Sequence, residues 1–275
     1  MIKRLIINAD DLGHPEGSVP AIIALYEAGI VTSTTAMTNQ PNWPEAATYL
    51  REHPGLGAGV HLVMNEGGPV LPIEQVRSLV DAQGCFRDGP ALLRRYGRLR
   101  LRELKAEWRA QIEKFIADTG RQPDHLDLHC HYPYVFPAWF RVSLKLAEEY
   151  GHVPVRMPFD DALDLKAATM AAGSGFPGWY VRWQGRRYQR MAQQRGLKYP
   201  NYFESSFSLF ATDEQRTAEY LLSLLETLPD GVTELVTHPG TVDWREKDYR
   251  ALADPRVKAR IRELGIELVT YGALR

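Results

Sequence analysis

The sequence predicts an α/β fold, a distorted barrel of seven or eight mainly parallel strands with helices between them. Two observations predict it. Short β-branched runs recur along the whole chain, and the stretches between them carry apolar residues at helical spacing. A third agrees: the residues richest in chemistry stand where such a run ends and a loop begins, the edge at which parallel α/β folds hold their active sites. The expected strands are residues 3–9, 31–37, 57–63, 125–132, 153–157, 234–237 and 266–271, with a weaker one near Tyr202. The expected helices are residues 18–28, 44–52, 101–119, 137–150, 213–228 and 249–264, the third ending properly at Gly120. Residues 64–100 and 172–200 break the alternation and read as loop insertions, lids or binding loops. No repeat or linker divides the chain, so residues 1–275 are expected to form a single domain.

The chain is long enough to bury a large core, with 44% hydrophobic residues among 275. A formal net charge of -1 gives no global attraction to nucleic acid or to an anionic surface. A small, neutral or weakly charged substrate is expected instead. Leu5-Ile6-Ile7 is too short for a signal-peptide core, and no run approaches the roughly 18 apolar residues of a membrane span. The expectation is a soluble, cytoplasmic protein without a transmembrane segment. Cys85 and Cys130 read as free thiols.

Four segments hold the chemistry. Asn8-Ala9-Asp10-Asp11 places adjacent carboxylates at the end of a buried strand. Adjacent carboxylates repel unless a cation or a shared proton separates their roles; taken alone, the pair reads as a turn cap. Gly57-Ala58-Gly59-Val60-His61 puts two glycines on the same strand face as His61, leaving room around its ring. His125-Leu126-Asp127-Leu128-His129-Cys130-His131 concentrates three imidazoles and a carboxylate on one face, with Leu126, Leu128 and Cys130 on the other. Such polarity on one side demands many compensating hydrogen bonds or a cation. Which of His125, His129 and His131 would be a ligand stays open on this argument. Thr237-His238-Pro239-Gly240 delivers a further histidine at a strand end, available for proton transfer.

These residues resemble the YdjC-like carbohydrate deacetylases, a family that includes chitooligosaccharide deacetylases and is related to the NodB-type polysaccharide deacetylases. The resemblance runs nearly end to end, on Asn8-Ala9-Asp10-Asp11, Gly29-Ile30-Val31-Thr32-Ser33-Thr34-Thr35, Gly59-Val60-His61-Leu62, His125-Leu126-Asp127-Leu128-His129 and His238-Pro239. It implies a distorted barrel of the NodB glycoside hydrolase/deacetylase type and one divalent metal ion, Mg²⁺ or Zn²⁺, on Asp11, His61 and His129. Nitrogen ligands suit Zn²⁺, whereas the family is commonly described with Mg²⁺. Asp10 would be the general base, His238 the general acid, and Arg156 the arginine that orients the base. His125, Asp127 and His131 would hold the ligands in place or touch substrate. The implied reaction is removal of the N-acetyl group from an N-acetylated amino sugar such as N-acetylglucosamine, or from an oligosaccharide, with release of acetate. Leu12 stands where the family often has Phe, and Leu128 where a serine commonly precedes the metal histidine.

Two rival readings remain. Asp127-Leu128-His129-Cys130-His131 also suits an amidohydrolase or PHP-type metal-dependent phosphoesterase, which would bind more than one metal. A sugar-binding protein without turnover would keep the barrel but have no need of Asp10 and His238. The Arg- and aromatic-rich stretch 182–198 reads as a solvated helix face or a homodimer contact, or else as a contact for an acidic or lipid-linked glycan.

Overall fold

The computed structural model describes residues 2–130, 132–159 and 177–275. Strand β1 (Lys3–Leu12) begins with a near-continuous apolar run in which Leu5, Ile6 and Ile7 are wholly buried, as expected of a parallel strand covered on both faces. Leu5, Ile7 and Ala9 join the large core under the helices, whereas Ile6 packs with Val232 and Tyr271 in a separate small cluster. The alternation therefore aims Ile6, Asn8 and Asp10 at the inside of the curled sheet.

Around β1 lie β2 (Ser33–Ala36), β3 (Gly57–Leu62), β4 (Leu126–Leu128), β5 (Tyr202–Glu204), β6 (Gly231–Thr237) and β7 (Glu267–Leu268). The seven strands run in the order β4-β3-β2-β1-β6-β5, with β7 pairing to β1, and every pairing is parallel. Beyond β4, Leu126 N–H donates to Pro154 O (2.9 Å), Arg156 N–H donates to Leu126 O (3.1 Å), and Val155 N–H donates to Lys198 O (2.9 Å), just before β5. The sheet curls back toward itself without a continuous ladder, a distorted barrel as the strand pattern predicts.

The helices are α1 (Ser18–Glu27), α2 (Trp43–Glu52), α3 (Gly89–Arg94), α4 (Leu101–Thr119), α5 (Tyr132–Val135), α6 (Pro137–Glu149), α7 (Gly178–Gln193), α8 (Ala218–Thr227), α9 (Asp243–Ala253) and α10 (Pro255–Glu263). Helix α4 buries Leu104, Trp108, Ile112 and Phe115 at helical spacing and stops at Gly120, whose φ of 73° is left-handed. The same helix buries polar side chains that pin the excursion after β3. Glu107 accepts from Val70 and Leu71 N–H, Glu103 accepts from Ser78 N–H, and Gln111 bonds to both backbone groups of Val63. Residues 64–100 are thus a fixed insertion, with α3 inside it.

Several expectations change, and the strand expected over residues 153–157 is a single bridge between Val155 and Leu126. The strand expected over residues 125–132 is only Leu126–Leu128, because Cys130 adopts a φ of 63° and ends it. The helix expected over 249–264 is two helices, broken where Asp254 caps α10 and Pro255 occupies its first turn. The insertion expected over 172–200 is largely the helix α7; residues 172–176 lie outside the described residues. Cys85 and Cys130 are free and exposed. No helix among the described residues is long and apolar enough to cross a membrane.

Candidate functional site

Strand alternation would send Asp10 and Asp11 to opposite faces, yet both reach the same pocket. A φ of 68° at Asp11, with a register shift between Ala9 and Leu12, turns the second carboxylate back inward. Both carboxylates are buried. His61 on β3 and Asp127 on β4 are register partners, and Asp127 Oδ1 meets His61 Nδ1 at 2.7 Å. That bond leaves His61 Nε2 facing Asp11 Oδ1 at 3.4 Å and Asp10 Oδ2 at 3.9 Å. His129, just past β4, brings Nδ1 to 3.3 Å from the same Asp11 oxygen, while its Nε2 meets Glu66 Oε2 at 3.0 Å.

Asp11 Oδ1 is buried and has no hydrogen-bond partner. An orphaned buried carboxylate oxygen between two imidazole nitrogens fits a cation: four ligands at about 2.1 Å in tetrahedral array lie ~3.4 Å apart. Asp11, His61 and His129 each offer one atom within 4.8 Å of the others. A second grouping, Asp10, His61 and Asp127, meets the same distance condition. Its two carboxylates are already taken by Arg156, whose positive charge opposes a second ion there.

Arg156 follows the bridge at Val155 and crosses the interior. Its Nη1 and Nη2 donate to Asp10 at 2.7 and 2.6 Å, Nη1 lies 2.8 Å from Asp127 Oδ2, and Nε donates to Glu234 Oε1 at 2.9 Å. Burial alone would raise the Asp10 carboxyl, but Arg156 outweighs it and holds the group well below the usual carboxylate range. Burial likewise opposes charge on His61, yet Asp127, Asp11 and Asp10 push it up to about 9. His129 rises too, against burial, through its contact with Asp11. Glu234 is pushed up by burial in spite of Arg156.

His238 leaves the end of β6 with Nε2 at 3.8 Å from Asp10 Oδ2. Gly240 makes that exit possible, since a Cβ there would lie 2.7 Å from the Glu16 carbonyl oxygen. His238 N–H donates to Asp248 Oδ2 (2.9 Å), and Nδ1 lies 2.8 Å from Ser208 Oγ. The single Ser208 hydrogen goes to Asp248, so its oxygen accepts from Nδ1–H and leaves Nε2 as the nitrogen facing Asp10. Burial holds His238 below its ordinary value although Asp10, Asp11 and Asp248 pull the other way.

Asp10, Asp11, His61, Asp127, His129, Arg156 and His238 are therefore brought together. His125 is not in contact with them. It shares their face one layer down, stacked on Tyr271 (centroids 3.7 Å apart) and bonded to Asp124 at 2.5 Å. The room that Gly59 leaves is filled by that ring, because a Cβ at Gly59 would lie 2.5 Å from it. His131 lies outside the described residues. Sequence reasoning missed Glu66, His14, Arg245, Glu234, Ser208 and Asp248. Glu66 meets His14 Nε2 at 2.8 Å as well as His129, and Arg245 Nη2 meets the other Asp11 oxygen at 2.7 Å. Only Glu234 left a signal, a charge in the middle of an apolar strand; His14 and Glu66 stand in the loops a few residues past β1 and β3, and Ser208, Arg245 and Asp248 come from segments outside the strand motifs.

The carbohydrate deacetylase of Brevibacillus brevis is 31% identical over 284 residues, covering 98% of this chain and 99% of the relative. The carbohydrate deacetylase of Enterococcus faecalis is 31% identical over 294 residues, covering 99% and 98%. A solved structure from Enterococcus faecalis V583, described as a candidate cellobiose-phosphate cleavage protein, superposes with a TM-score of 0.81 at 30% identity, over 100% of this chain and 99% of that one. The Bc1960 peptidoglycan N-acetylglucosamine deacetylase shares the fold, with a TM-score of 0.52 at 13% identity over 98% of this chain and 87% of its own. The YdjC-like protein family matches residues 4–263, and the chain belongs to it.

Proposed function

We propose that the protein is a divalent-metal-dependent carbohydrate deacetylase that hydrolyses the acetamide of an N-acetylated amino sugar or oligosaccharide, releasing acetate and a free amine. One observation carries the reading: the unpartnered Asp11 Oδ1 stands between His61 and His129, with a carboxylate and a further histidine flanking it. The relatives named carbohydrate deacetylases support the substrate class.

Asp11, His61 and His129 would hold the ion, through one oxygen and two nitrogens. Bound there, a divalent cation supplies Lewis acidity, polarising the acetamide carbonyl and acidifying water. Asp10 accepts the proton of the attacking water. Its depressed pKa makes it a weak base, so its contribution is an always-ionised carboxylate fixed by Arg156. His238 faces the same carboxylate from the other side; with Nδ1–H held by Ser208 its Nε2 is bare, so it takes up the proton that Asp10 received from the water and passes it to the departing nitrogen. Ser208 and Asp248 fix its ring and tautomer, and Asp127 and Glu66 fix the rings of His61 and His129.

Acetate release from a panel of N-acetylated mono- and oligosaccharides, with and without chelator, tests the reading. Wild-type protein should release acetate only with metal, and Asp10→Asn and His129→Ala should not. No release from any panel member with Mg²⁺, Zn²⁺, Mn²⁺ or Co²⁺ would refute it.

A further inference from the structure

We propose that the outer face of α7 docks the protein on an anionic lipid surface. The helix is anchored by its opposite face. Tyr188 is wholly buried against Phe140 (centroids 4.2 Å apart), Val181, Gln184, Met191 and Ala192 are buried beside it, and Gln189 donates to Phe159 O at 2.6 Å. What faces outward is not the solvated mixture such a face normally has. Trp179 is 65% exposed and Trp183 51%, whereas Trp43, Trp108 and Trp139 are all buried to 1% or less. Arg186 and Arg190 are exposed further along. Spacings of four, three and four residues place Trp179, Trp183, Arg186 and Arg190 in one stripe at 3.6 residues per turn.

Charge complementarity selects the occupant. The helix holds four arginines and no acidic residue, in a chain whose formal net charge is -1. Among the described residues no carboxylate forms an ion pair with Arg186 or Arg190. Indoles favour the headgroup boundary, where an apolar ring meets water, and arginines reach from an apolar stem to lipid phosphate. Arg187 lies over the Trp183 ring, 5.4 Å from its centroid, so indole and guanidinium are presented together. An apolar protein partner would match the tryptophans but leave the guanidinium row unanswered; an anionic bilayer answers both.

The test is co-sedimentation of the full chain with vesicles of phosphatidylglycerol and phosphatidylcholine against vesicles of phosphatidylcholine alone. Wild-type protein should partition onto the anionic vesicles and be released by high salt. The pair Arg186→Gln, Arg190→Gln should lower the partition coefficient by about 25-fold, at roughly fivefold per arginine. The pair Trp179→Ser, Trp183→Ser should lower it on both kinds of vesicle. Circular dichroism checks that each variant is folded. Equal binding to both vesicle types, or anionic binding unchanged in both variants, overturns the proposal. So does a wild-type dimer in solution that either pair converts to monomer, since the stripe is then a contact between two copies.

Discussion

Arg156 grips Asp10 with both terminal nitrogens, at 2.7 and 2.6 Å, while the same guanidinium reaches Asp127 and Glu234. One buried cation therefore sets the orientation of Asp10, the proposed base, of Asp127 behind His61, and of a third carboxylate deeper in the barrel. Arg156→Ala leaves these carboxylates facing one another without a counter-charge. It should cost about 3–5 kcal/mol of stability, as removing one partner of a buried ion pair does. Arg156→Lys keeps the charge but not the fork, so it should recover part of that stability and little of kcat. Denaturant unfolding of both variants beside steady-state kinetics checks the split; equal stability of Arg156→Ala and wild type would contradict it.

Glu66 contacts His129 through the nitrogen that does not face Asp11. His129 and His14 together hold its carboxyl down to about 2, so it is an anion at any working pH. Glu66→Gln should weaken metal binding by about 10- to 100-fold, the usual cost of losing a carboxylate behind a ligating imidazole. Calorimetric titration of the apo protein with Zn²⁺ reads this directly, and an unchanged Kd would show that His129 needs no such support.

Metal uptake should release protons. His61 is raised to about 9, so its ring is protonated at neutral pH without an ion; His129 is raised in the same direction by its contact with Asp11, and only neutral imidazole coordinates. Protons on His61 therefore compete with metal: apparent affinity should climb from neutrality through about pH 9. Titrations in two buffers of different ionisation enthalpy count the protons. A count of zero at neutral pH would contradict the charge state described here.

Ser208 joins His238 to Asp248 and fixes which ring nitrogen faces Asp10. Ser208→Ala should lower kcat by roughly tenfold with little change in KM, less than the 10²–10⁴ that loss of a general acid costs. A fall as large as that of His238→Ala would assign Ser208 a more direct part than holding the ring.

The strand order of residue types made much of this legible. Leu5-Ile6-Ile7 marked a doubly covered strand, and the alternation after it pointed Asp10 inward; the inward turn of Asp11 came from a left-handed backbone that alternation cannot foretell. The same rule put His125, Asp127 and His129 on one face but said nothing about depth, so His125, stacked below on Tyr271, looked equivalent to His129. Helix existence was legible from apolar spacing even where α9 and α10 were fused, since the break at Asp254-Pro255 costs only one turn of pattern. Glu66, Ser208, Arg245 and Asp248 arrive from loops and from a helix face. Tertiary folding alone makes them neighbours of the strand-end residues.

In the proposed mechanism Asp11, His61 and His129 hold one cation on which hydrolysis depends. Adding divalent metal stepwise to chelator-treated protein while recording acetate release from an N-acetylated oligosaccharide tests it most directly. Activity should rise linearly and level off at one equivalent per chain, and His61→Ala, His129→Ala and Asp11→Asn should stay flat. Full acetate release from metal-free protein, or a rise that continues to two equivalents, would contradict it.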